Sequence, residues 1–426
     1  MNRAKVRDLI ITNKSGIYGL ALPGKPFNPL KPRYLRITDI DDNGNLLFDD
    51  LKSVDTNNIG DYRLHKNDLV VARTGNSTGR TYMCDGEENL VYAGFLIKYV
   101  FDSNKINPRY MKYYCLSEPY KKQIKSYVGS TRGNMSAQDF MDIEVIFPDR
   151  KQQDYMVVLF DAINKKIQDN NVLSSRFESI CRMIYDYWFL QFDFPDENGR
   201  PYRSSGGKMV WNAELKREIP EGWEVERLRN VITTERGISY STENIESGEG
   251  VPMLNLATFR PGGGAYKADG LKHFKGEYPE GKILKPYELI MCNTQQTAIN
   301  FPTDIIGRAM LVPDIFDGDV VSSHHVNVIR TANPDLRFYL LYLFNSDFYH
   351  KYISGFTNGT NILGLLFNGV EDYKTEIPPA KLLKKFAAIV MDVERQKNEN
   401  IKENQRLASL RDFLLPLLMN GQVTFK

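Results

Sequence analysis

Residues 151–189 decide how this chain is built, and they read KQQDYMVVLFDAINKKIQDNNVLSSRFESICRMIYDYWF. The stretch contains neither proline nor glycine, and apolar or small side chains recur in it at alternating gaps of three and four residues. This spacing predicts a long helix with one apolar stripe. A straight helix of this length spans roughly 55–60 Å, too long for one small domain, so we expect a strut that needs a partner. The stripe consists of Met156, Phe160, Ile163, Ile167, Phe177, Cys181, Ile184 and Trp188, and it is interrupted by Asn170 and Ser174.

A second helix of the same kind is predicted near the end of the chain, from residue 381 onward. Residues 406–410, RLASL, align with residues 176–180, RFESI, of the first helix. Both helices have apolar ends and a polar middle, which predicts a coiled-coil pair whose polar positions fix its register. Two unrelated surface helices are the alternative. The second stripe consists of Ile389, Val393, Leu407, Leu410, Leu414 and Leu417, with Lys397, Asn400 and Asn404 in its middle.

The composition sets broad bounds on the class of protein. A chain of 426 residues exceeds one ordinary core, so we expect at least two domains. Charged residues make up 25% and hydrophobic residues 42%, with no apolar run of membrane-spanning length and no signal-peptide pattern at the start. The four cysteines lack C-x-x-C spacing and are interpreted as reduced core residues of a cytoplasmic protein. The net charge of +2 excludes little, because the 55 basic residues could still share one face.

The two halves of the chain repeat the same order of features at low identity. The second half follows a connector rich in Gly, Pro, Ser and charge, and each copy ends in a strand and a proline before its long helix. Chance similarity between short β-rich segments is the alternative explanation. The matched segments are residues 6–8 with 228–230, Gly16-Ile17 with Gly237-Ile238, 34–40 with 251–257, 68–74 with 288–294, and GSTRGN at 129–134 with GFTNGT at 355–360.

This repeat predicts an α+β protein built from two copies of a mixed α/β domain, each followed by a long helix. The expected boundaries are 1–150 for the first domain, 151–194 for the first long helix, 195–222 for the connector, 223–379 for the second domain and 380–426 for the second long helix and tail.

The usual signatures of catalysis are missing from the sequence. We find no G-x-x-x-x-G-K-[ST] loop for nucleotide phosphates, no glycine-rich loop of the adenosyl-cofactor type and no Asn/Asp-Pro-Pro-aromatic tetrapeptide. The histidines offer no H-E-x-x-H spacing, and His324-His325 is a poor metal site because adjacent residues of a strand point to opposite faces. We therefore predict no catalytic residue, no metal ligand and no cofactor bound by this chain.

Polar loops that follow predicted strands are the best candidates for a binding site. Arginine suits guanine edges or phosphates, Asn and Gln suit adenine, and Ser or Thr suit bases or backbone. Glycine lets the main chain approach a phosphate closely. Ordinary turns are the alternative for any single loop, but recurrence in both copies favours binding. The candidate nucleic-acid contacts are Arg36, Thr38, Arg73, Thr74, Asn76, Ser77, Thr78, Arg80, Thr131, Arg132 and Asn134 in the first copy, and Asn255, Asn293, Thr294, Gln295, Gln296, Thr297, Asn358, Thr360 and Asn361 in the second.

Residues 185–202, YDYWFLQFDFPDENGRPY, resemble the specificity (S) subunits of Type I restriction–modification enzymes. Residues 204–210, 218–224 and 414–423 resemble the same family. The resemblance covers the whole chain in layout, and its specific motifs lie in the connector and at the helix ends. One departure is that the first half lacks the I-P-x-G-W motif that the second half has at residues 219–223.

The resemblance implies two target recognition domains at opposite ends of an antiparallel helical pair. Each domain would read one half of a split, asymmetric site in double-stranded DNA, and the helices would set the unread spacer. Half-sites about 34–36 Å apart are compatible with a strut on the order of 55 Å. Two modification subunits would dock on the chain and carry S-adenosylmethionine and adenine methylation. Restriction subunits, where present, would add ATP- and Mg-dependent translocation and cleavage.

Two other functions stay open on the residues alone. One is a catalytic protein, a nuclease or methyltransferase with degenerate motifs, which S-adenosylmethionine binding by the isolated chain would reveal. The other is a scaffold whose two domains bind proteins instead of DNA. Salt separates the scaffold from a DNA reader, because DNA binding weakens steeply with ionic strength through counterion release.

Overall fold

The computed structural model describes residues 1–48, 50–56, 59–86, 89–127, 134–246, 248–296, 300–301 and 303–425. The chain forms two compact units. Unit 1 consists of Met1–Gln168 and Asn404–Lys426, and unit 2 consists of Asp169–Glu403. Two long helices, Arg150–Tyr185 and Ala380–Met419, contribute residues to both units, and each part is described with its own unit.

The described residues of unit 1 form two four-stranded sheets and one separate strand pair. The central strand, Asp68–Ala72, is buried along its whole length, as expected for a short apolar run covered on both faces. In spatial order its antiparallel sheet consists of Ile17–Tyr18, Leu96–Val100, Asp68–Ala72 and Thr81–Met83. The other sheet consists of Lys25–Pro26, Lys52–Ser53, Arg33–Leu35 and Leu90–Tyr92, the last two parallel. The separate antiparallel pair is Asn2–Lys5 with Glu144–Phe147.

Short helices pack against these sheets. Asn107 begins the helix Pro108–Tyr114 by accepting a hydrogen bond from the Arg109 amide, and Pro108 occupies the first turn. The Tyr110 hydroxyl then donates to the carbonyl of Ile146 at 2.9 Å, which ties this helix to the separate strand pair. The other helices of unit 1 are Val6–Leu9, Glu118–Lys125 and Ala137–Met141.

Both long helices contribute to the hydrophobic core of unit 1. Side chains at positions 156, 160 and 163 of the first helix share one cluster with those at positions 415, 418 and 419 of the second. The segments run antiparallel, because Gln152 exchanges two hydrogen bonds of 2.8 Å with the main chain of Phe425 while Asn164 accepts from Arg411.

Unit 2 repeats the topology of unit 1. Its main antiparallel sheet consists of Ile232–Arg236, Val326–Thr331, Leu289–Cys292 and Ala309–Leu311. Its second sheet consists of Ile245–Glu246, Lys272–Phe274, Val251–Leu254 and Val321–Ser322, and the last two strands are again parallel. The separate antiparallel pair is Glu224–Arg227 with Lys374–Ile377. The predicted fold class, two repeated mixed α/β domains with long helices, is confirmed.

Unit 2 has further elements beyond the repeat. The predicted connector contains the hairpin Met209–Asn212 with Arg217–Pro220, where Arg217 forms an ion pair with the buried carboxylate of Glu376. A three-stranded sheet consists of Thr294–Gln295, Leu363–Leu365 and Thr357–Asn358. The short helices Leu336–Phe344, Asp347–Ile353 and Asn368–Asp372 belong to the repeat, because they occupy the same place in chain order as the last three short helices of unit 1.

The long helices also run antiparallel within unit 2, where Tyr185 and Phe189 share an apolar cluster with Phe386 and the pairing becomes polar toward residues 170–174 and 397–403. Asn170 donates to Glu403 at 2.8 Å, and Asn400 donates to Ser174 at 3.1 Å. Lys397 is buried in the same stretch. The polar middle predicted from the sequence therefore lies in the helix contact, where such residues restrict the register.

The predicted stripe of the second helix is wrong at Leu410. This side chain is 45% exposed, whereas the neighbouring Arg411 is buried and reaches Asn164. From Leu407 the buried face advances by four residues instead of three, so Leu415 and Leu418 complete the core contact. Pairing with a polar partner, which periodicity does not reveal, accounts for this shift.

Three of the sequence matches between the halves have the wrong register. Asn134 bridges Thr74 as Gly364 pairs with Thr294, so the match of residues 129–134 with 355–360 is displaced by four residues. The amide of Leu20 donates to Tyr92 as the amide of Ile238 donates to Ser322, so Gly19, and not Gly16, is the equivalent of Gly237. A Cβ atom on either glycine would lie 2.2–2.3 Å from a carbonyl oxygen of the neighbouring strand, which explains why both positions are glycine. The match of residues 34–40 with 251–257 is likewise displaced by two residues, because the carbonyls of residues 35 and 254 accept equivalent hydrogen bonds.

The four cysteines are all buried, and burial raises the pKa of both Cys115 and Cys292 to about 12. In the part of the chain that the structure describes, no group of three or more His, Cys, Asp or Glu side chains could hold a metal ion. Over the same residues, no helix is long and apolar enough to cross a membrane.

Candidate nucleic-acid interface

Two of the predicted loops in unit 1 meet where the strand Asp68–Ala72 ends. Thr74 forms an antiparallel bridge with Asn134, and the amide of Met135 donates to the carbonyl of Arg73 at 2.8 Å. The amide of Arg73 also donates to the carbonyl of Phe95 at 3.0 Å. This hydrogen bond attaches the turn at residues 93–95 to the same strand end. Backbone hydrogen bonds thus gather three segments around one strand end.

Unit 2 has the same arrangement at the end of the strand Leu289–Cys292. The amide of Leu365 donates to the carbonyl of Asn293 at 2.8 Å, and the amide of Asn293 donates to the carbonyl of His325 at 2.9 Å. Asn358 pairs with the same strand as Thr294, which brings the two predicted loops of this unit together. The sequence match of Arg73 with Asn293 is confirmed by these equivalent hydrogen bonds.

In unit 1, the best-placed basic side chain of this cluster is Arg73. Its guanidinium lies over the ring of Tyr18, 4.9 Å from the ring centroid, and its Nε atom has no hydrogen-bond partner among the described residues. Asn76 and Asn134 are exposed beside it. An arginine stacked on an aromatic ring keeps its outer nitrogens available for a base edge or a phosphate.

Other predicted residues of unit 1 make internal contacts. Arg36 forms ion pairs with Asp39 at 2.6 Å and Asp50 at 3.1 Å, and hydrogen bonding to Asp39 raises its pKa. Arg80 donates to Asp42 at 2.6 Å. Ser77 and Thr78 are buried in the turn after Thr74, where the Thr78 hydroxyl donates to the carbonyl of Gly75. Thr38 is exposed next to Asp39.

In unit 2, two predicted residues are buried by their own hydrogen bonds. Asn255 accepts from the amide of Ala257 and donates to the carbonyl of Gly270, which caps a short 3-10 turn. Gln295 donates to Asp304 and accepts from the amide of Ile305. The side-chain amides of Asn255 and Gln295 are therefore used in hydrogen bonds that stabilise the fold of unit 2.

The remaining predicted residues of unit 2 form a polar group at the strand end. Asn293 donates to Asn327, while the Thr294 hydroxyl donates to the Asn293 side chain at 2.8 Å. The exposed members of the loops, which can reach a ligand directly, are Gln296, Asn358, Thr360 and Asn361. Three predicted residues, Thr131, Arg132 and Thr297, lie outside the described residues.

The turns at Phe95 and His325 also belong to these clusters, although the sequence pattern did not indicate them. Phe95 is 59% exposed, and the His325 imidazole lies 3.2 Å from the Thr294 hydroxyl. Burial lowers the pKa of His325, and the nearby charges of Arg236 and Lys272 lower it further. The available signal was a polar or glycine-containing turn between two buried strands in both halves of the chain.

Comparison with known proteins places this architecture in a family. The sequence matches the Type I restriction modification DNA specificity domain over residues 30–174 and 220–409. It is 23% identical over 308 residues to the Type I restriction enzyme MjaIX specificity subunit of Methanocaldococcus jannaschii, a match that spans 71% of this chain and 66% of that subunit. It is 19% identical over 415 residues to the HindI specificity subunit of Haemophilus influenzae, covering 84% and 87% of the two chains.

A solved structure shows the same fold. The S subunit of a Type-I restriction-modification system from M. genitalium superposes with a TM-score of 0.56 at 14% identity, covering 98% of this chain and 95% of that one. The family match extends over more than half of the sequence and confirms the resemblance carried by the connector and helix-end motifs. This chain belongs to the family of Type I restriction modification DNA specificity domains.

Proposed function

We propose that this chain is the specificity subunit of a Type I restriction–modification complex and that each unit reads one half of a bipartite, asymmetric DNA site. The observation that carries this proposal is the pair of loop clusters around Arg73 and Asn293. The same backbone hydrogen bonds build both clusters, but their side chains differ. One scaffold with two sets of side chains is suited to reading two different half-sites.

The chemistry of the clusters supports recognition of DNA. Arg73 can contact guanine or phosphate, while Asn76 and Asn134 can pair with adenine. In unit 2 the exposed Gln296 and Asn358 offer the same kind of amide contact. We assign the recognition role to residues 1–150 and 223–379, with residues 195–222 as the connector.

We assign the spacer and the docking of modification subunits to the long helices, which contain 36 and 40 residues. Apolar side chains on the helix parts of unit 1 are exposed at Val158 and Phe413, and those in unit 2 at Ile180 and Met183. A contiguous exposed apolar patch marks a protein contact, and Ile180 and Met183, three residues apart on one helix, are neighbours on its surface. Two modification subunits are the proposed occupants.

The proposed chemistry resides in the partner subunits. Modification subunits would supply S-adenosylmethionine and transfer the methyl group to adenine, and restriction subunits would supply ATP- and Mg-dependent cleavage. The chain described here would position the DNA and would not act on it. Four buried thiols are compatible with a reducing compartment such as the cytoplasm.

Methylome sequencing of a host that expresses this chain with its cognate modification subunit tests the proposal. A split motif with methylated adenine in each half is expected. Exchange of residues 1–150 for those of another specificity subunit should then change one half only. Absence of methylation, with the same modification subunit active beside a different specificity subunit, would rule out the specificity role and favour the protein-binding scaffold.

A binding assay separates those two functions independently. Binding of the complex to a duplex with the motif should weaken steeply as the salt concentration rises, because neutralised phosphates release counterions. A scaffold bound to protein through apolar surfaces would keep its affinity over the same range.

A further inference from the structure

The turn at residues 93–95 of unit 1 is held from two sides by backbone atoms alone. The amide of Gly94 donates to the carbonyl of Leu20 at 2.9 Å, and the carbonyl of Phe95 accepts from the amide of Arg73 at 3.0 Å. The Phe95 side chain is nevertheless 59% exposed. A large apolar ring on a turn that is fixed to the main chain of Arg73 has a rigid surface that is available for contact.

The turn at residues 323–325 of unit 2 has the same backbone contacts. The amide of His324 donates to the carbonyl of Ile238 at 2.8 Å, and the carbonyl of His325 accepts from the amide of Asn293 at 2.9 Å. His325 therefore occupies in unit 2 the position of Phe95 in unit 1. The two equivalent positions carry side chains of different chemistry.

Hydrogen bonds around His325 fix which of its ring nitrogens accepts. The Thr294 hydroxyl donates its one hydrogen to the Asn293 side chain at 2.8 Å, so it can only accept from the His325 Nδ1 atom 3.2 Å away. The hydrogen of a neutral imidazole is then on Nδ1, and Nε2 is left as an acceptor. Burial lowers the pKa of His325, as do the neighbouring His324, Arg236 and Lys272, which favours the neutral ring.

We propose that Phe95 and His325 are specificity-determining residues that contact bases from equivalent turns, an inference that rests on the DNA-reading function proposed above. The acceptor on His325 selects a base with an exocyclic amino group, adenine or cytosine, at one position of the half-site read by unit 2. The ring of Phe95 offers no hydrogen bond and selects the methyl group of thymine at one position of the other half-site.

Binding of the assembled complex to variant duplexes tests this assignment. Each position of the unit 2 half-site is replaced in turn by the alternative bases and by an analogue that lacks the exocyclic amino group. At one position the unmodified chain should lose roughly ten- to hundredfold in affinity for the analogue, and H325F should lose this discrimination. H325Q, which keeps an acceptor, should retain it, and F95H should alter the thymine preference of the other half-site only.

The outcomes are distinguishable from a failure of the proposed function. If the unmodified chain supports no split-motif methylation, the DNA-reading function itself is wrong. If it does, and H325F leaves every base preference unchanged, the assignment of His325 is overturned. A uniform loss of affinity across all sequences, with a salt dependence reduced by about one charge, would also overturn it and make His325 a phosphate contact.

Discussion

Replacement of Lys397 by methionine would remove an ammonium that lies between two carboxylates in the helix contact of unit 2. Its Nζ atom is 3.0 Å from Glu178 and 2.8 Å from Glu394, and the Lys397 side chain is 9% exposed. Burial of Glu178 opposes its ionisation, but Lys397 and Arg260 more than offset this effect, so the pKa of Glu178 is below its ordinary value. The cluster is therefore ionised and depends on its cations.

The magnitude of the loss follows from the burial of the three groups. Breaking a buried ion pair by removing one partner costs about 3–5 kcal/mol, because the other charge stays buried without compensation. The expected decrease in the free energy of unfolding of unit 2 lies in this range. Glu394 is the carboxylate most affected, since Glu178 keeps its contact with Arg260 at 2.5 Å.

Urea unfolding monitored by tryptophan fluorescence measures the change in the free energy of unfolding of unit 2. The three tryptophans of the chain, at positions 188, 211 and 223, all belong to unit 2. The matched control is Lys402→Met on the same helix, where an exposed pair with Glu399 at 3.6 Å should contribute no more than about 1 kcal/mol. A double variant, Lys397→Met with Glu394→Met, should recover most of the loss because an apolar pair of similar size replaces the ion pair.

A free energy of unfolding of Lys397→Met within about 1 kcal/mol of that of the Lys402→Met control would contradict this prediction. A double variant less stable than the single variant would also contradict it, since the cost would then come from lost packing and not from an uncompensated charge.

Three further predictions concern other parts of the chain. Folding lowers the pKa of Glu178, so its contribution to stability is present above the ordinary carboxyl pKa of about 4.3 and is lost as the pH falls through the lower folded value; Glu178→Gln should flatten the acid titration of tryptophan fluorescence. Arg73→Ala should weaken binding of the complex to its duplex by about 1–3 kcal/mol and relax one half-site, whereas Arg80→Ala, whose guanidinium is held by Asp42, should retain base specificity. Gly237→Ala places a methyl group 2.3 Å from a carbonyl oxygen and should destabilise unit 2 by about 1–3 kcal/mol in urea unfolding, while Gly281→Ala, with open space around it, should be nearly neutral.

The architecture could be predicted because the periodicity of apolar residues indicates the long helices and the internal repeat indicates two similar domains. The stripe through Phe160 and Cys181 is a helical signal that needs no knowledge of the partner, and both residues are buried as expected. Register between distant strands carries no such local signal. The sequence therefore favours Gly16 as the equivalent of Gly237, and the hydrogen bond from the amide of Leu20 to the carbonyl of Tyr92 identifies Gly19 instead.

The candidate site could be predicted as a set of loops but not as a set of contacts. The polarity of Asn255 and Gln295 suits a base as well as it suits a buried carbonyl, and the sequence does not show that Gly270 and Asp304 supply internal partners. Phe95 could not be predicted as a site residue, because its apolar side chain suggests burial. A phenylalanine next to a buried strand is typical of a core, and its exposure depends on how the turn is folded.

The turns at residues 93–95 and 323–325 are fixed by main-chain hydrogen bonds. A change of side chain there can therefore be separated from a change in the stability of the fold. Under the proposed base contacts, a substitution at Phe95 or His325 would alter the group offered to a base and leave the main-chain hydrogen bonds of the turn in place. A single substitution would then change the target sequence without unfolding the turn. Frequent diversification at these two positions, beside an invariant glycine at positions 19 and 237, is the pattern expected among descendants of such a scaffold.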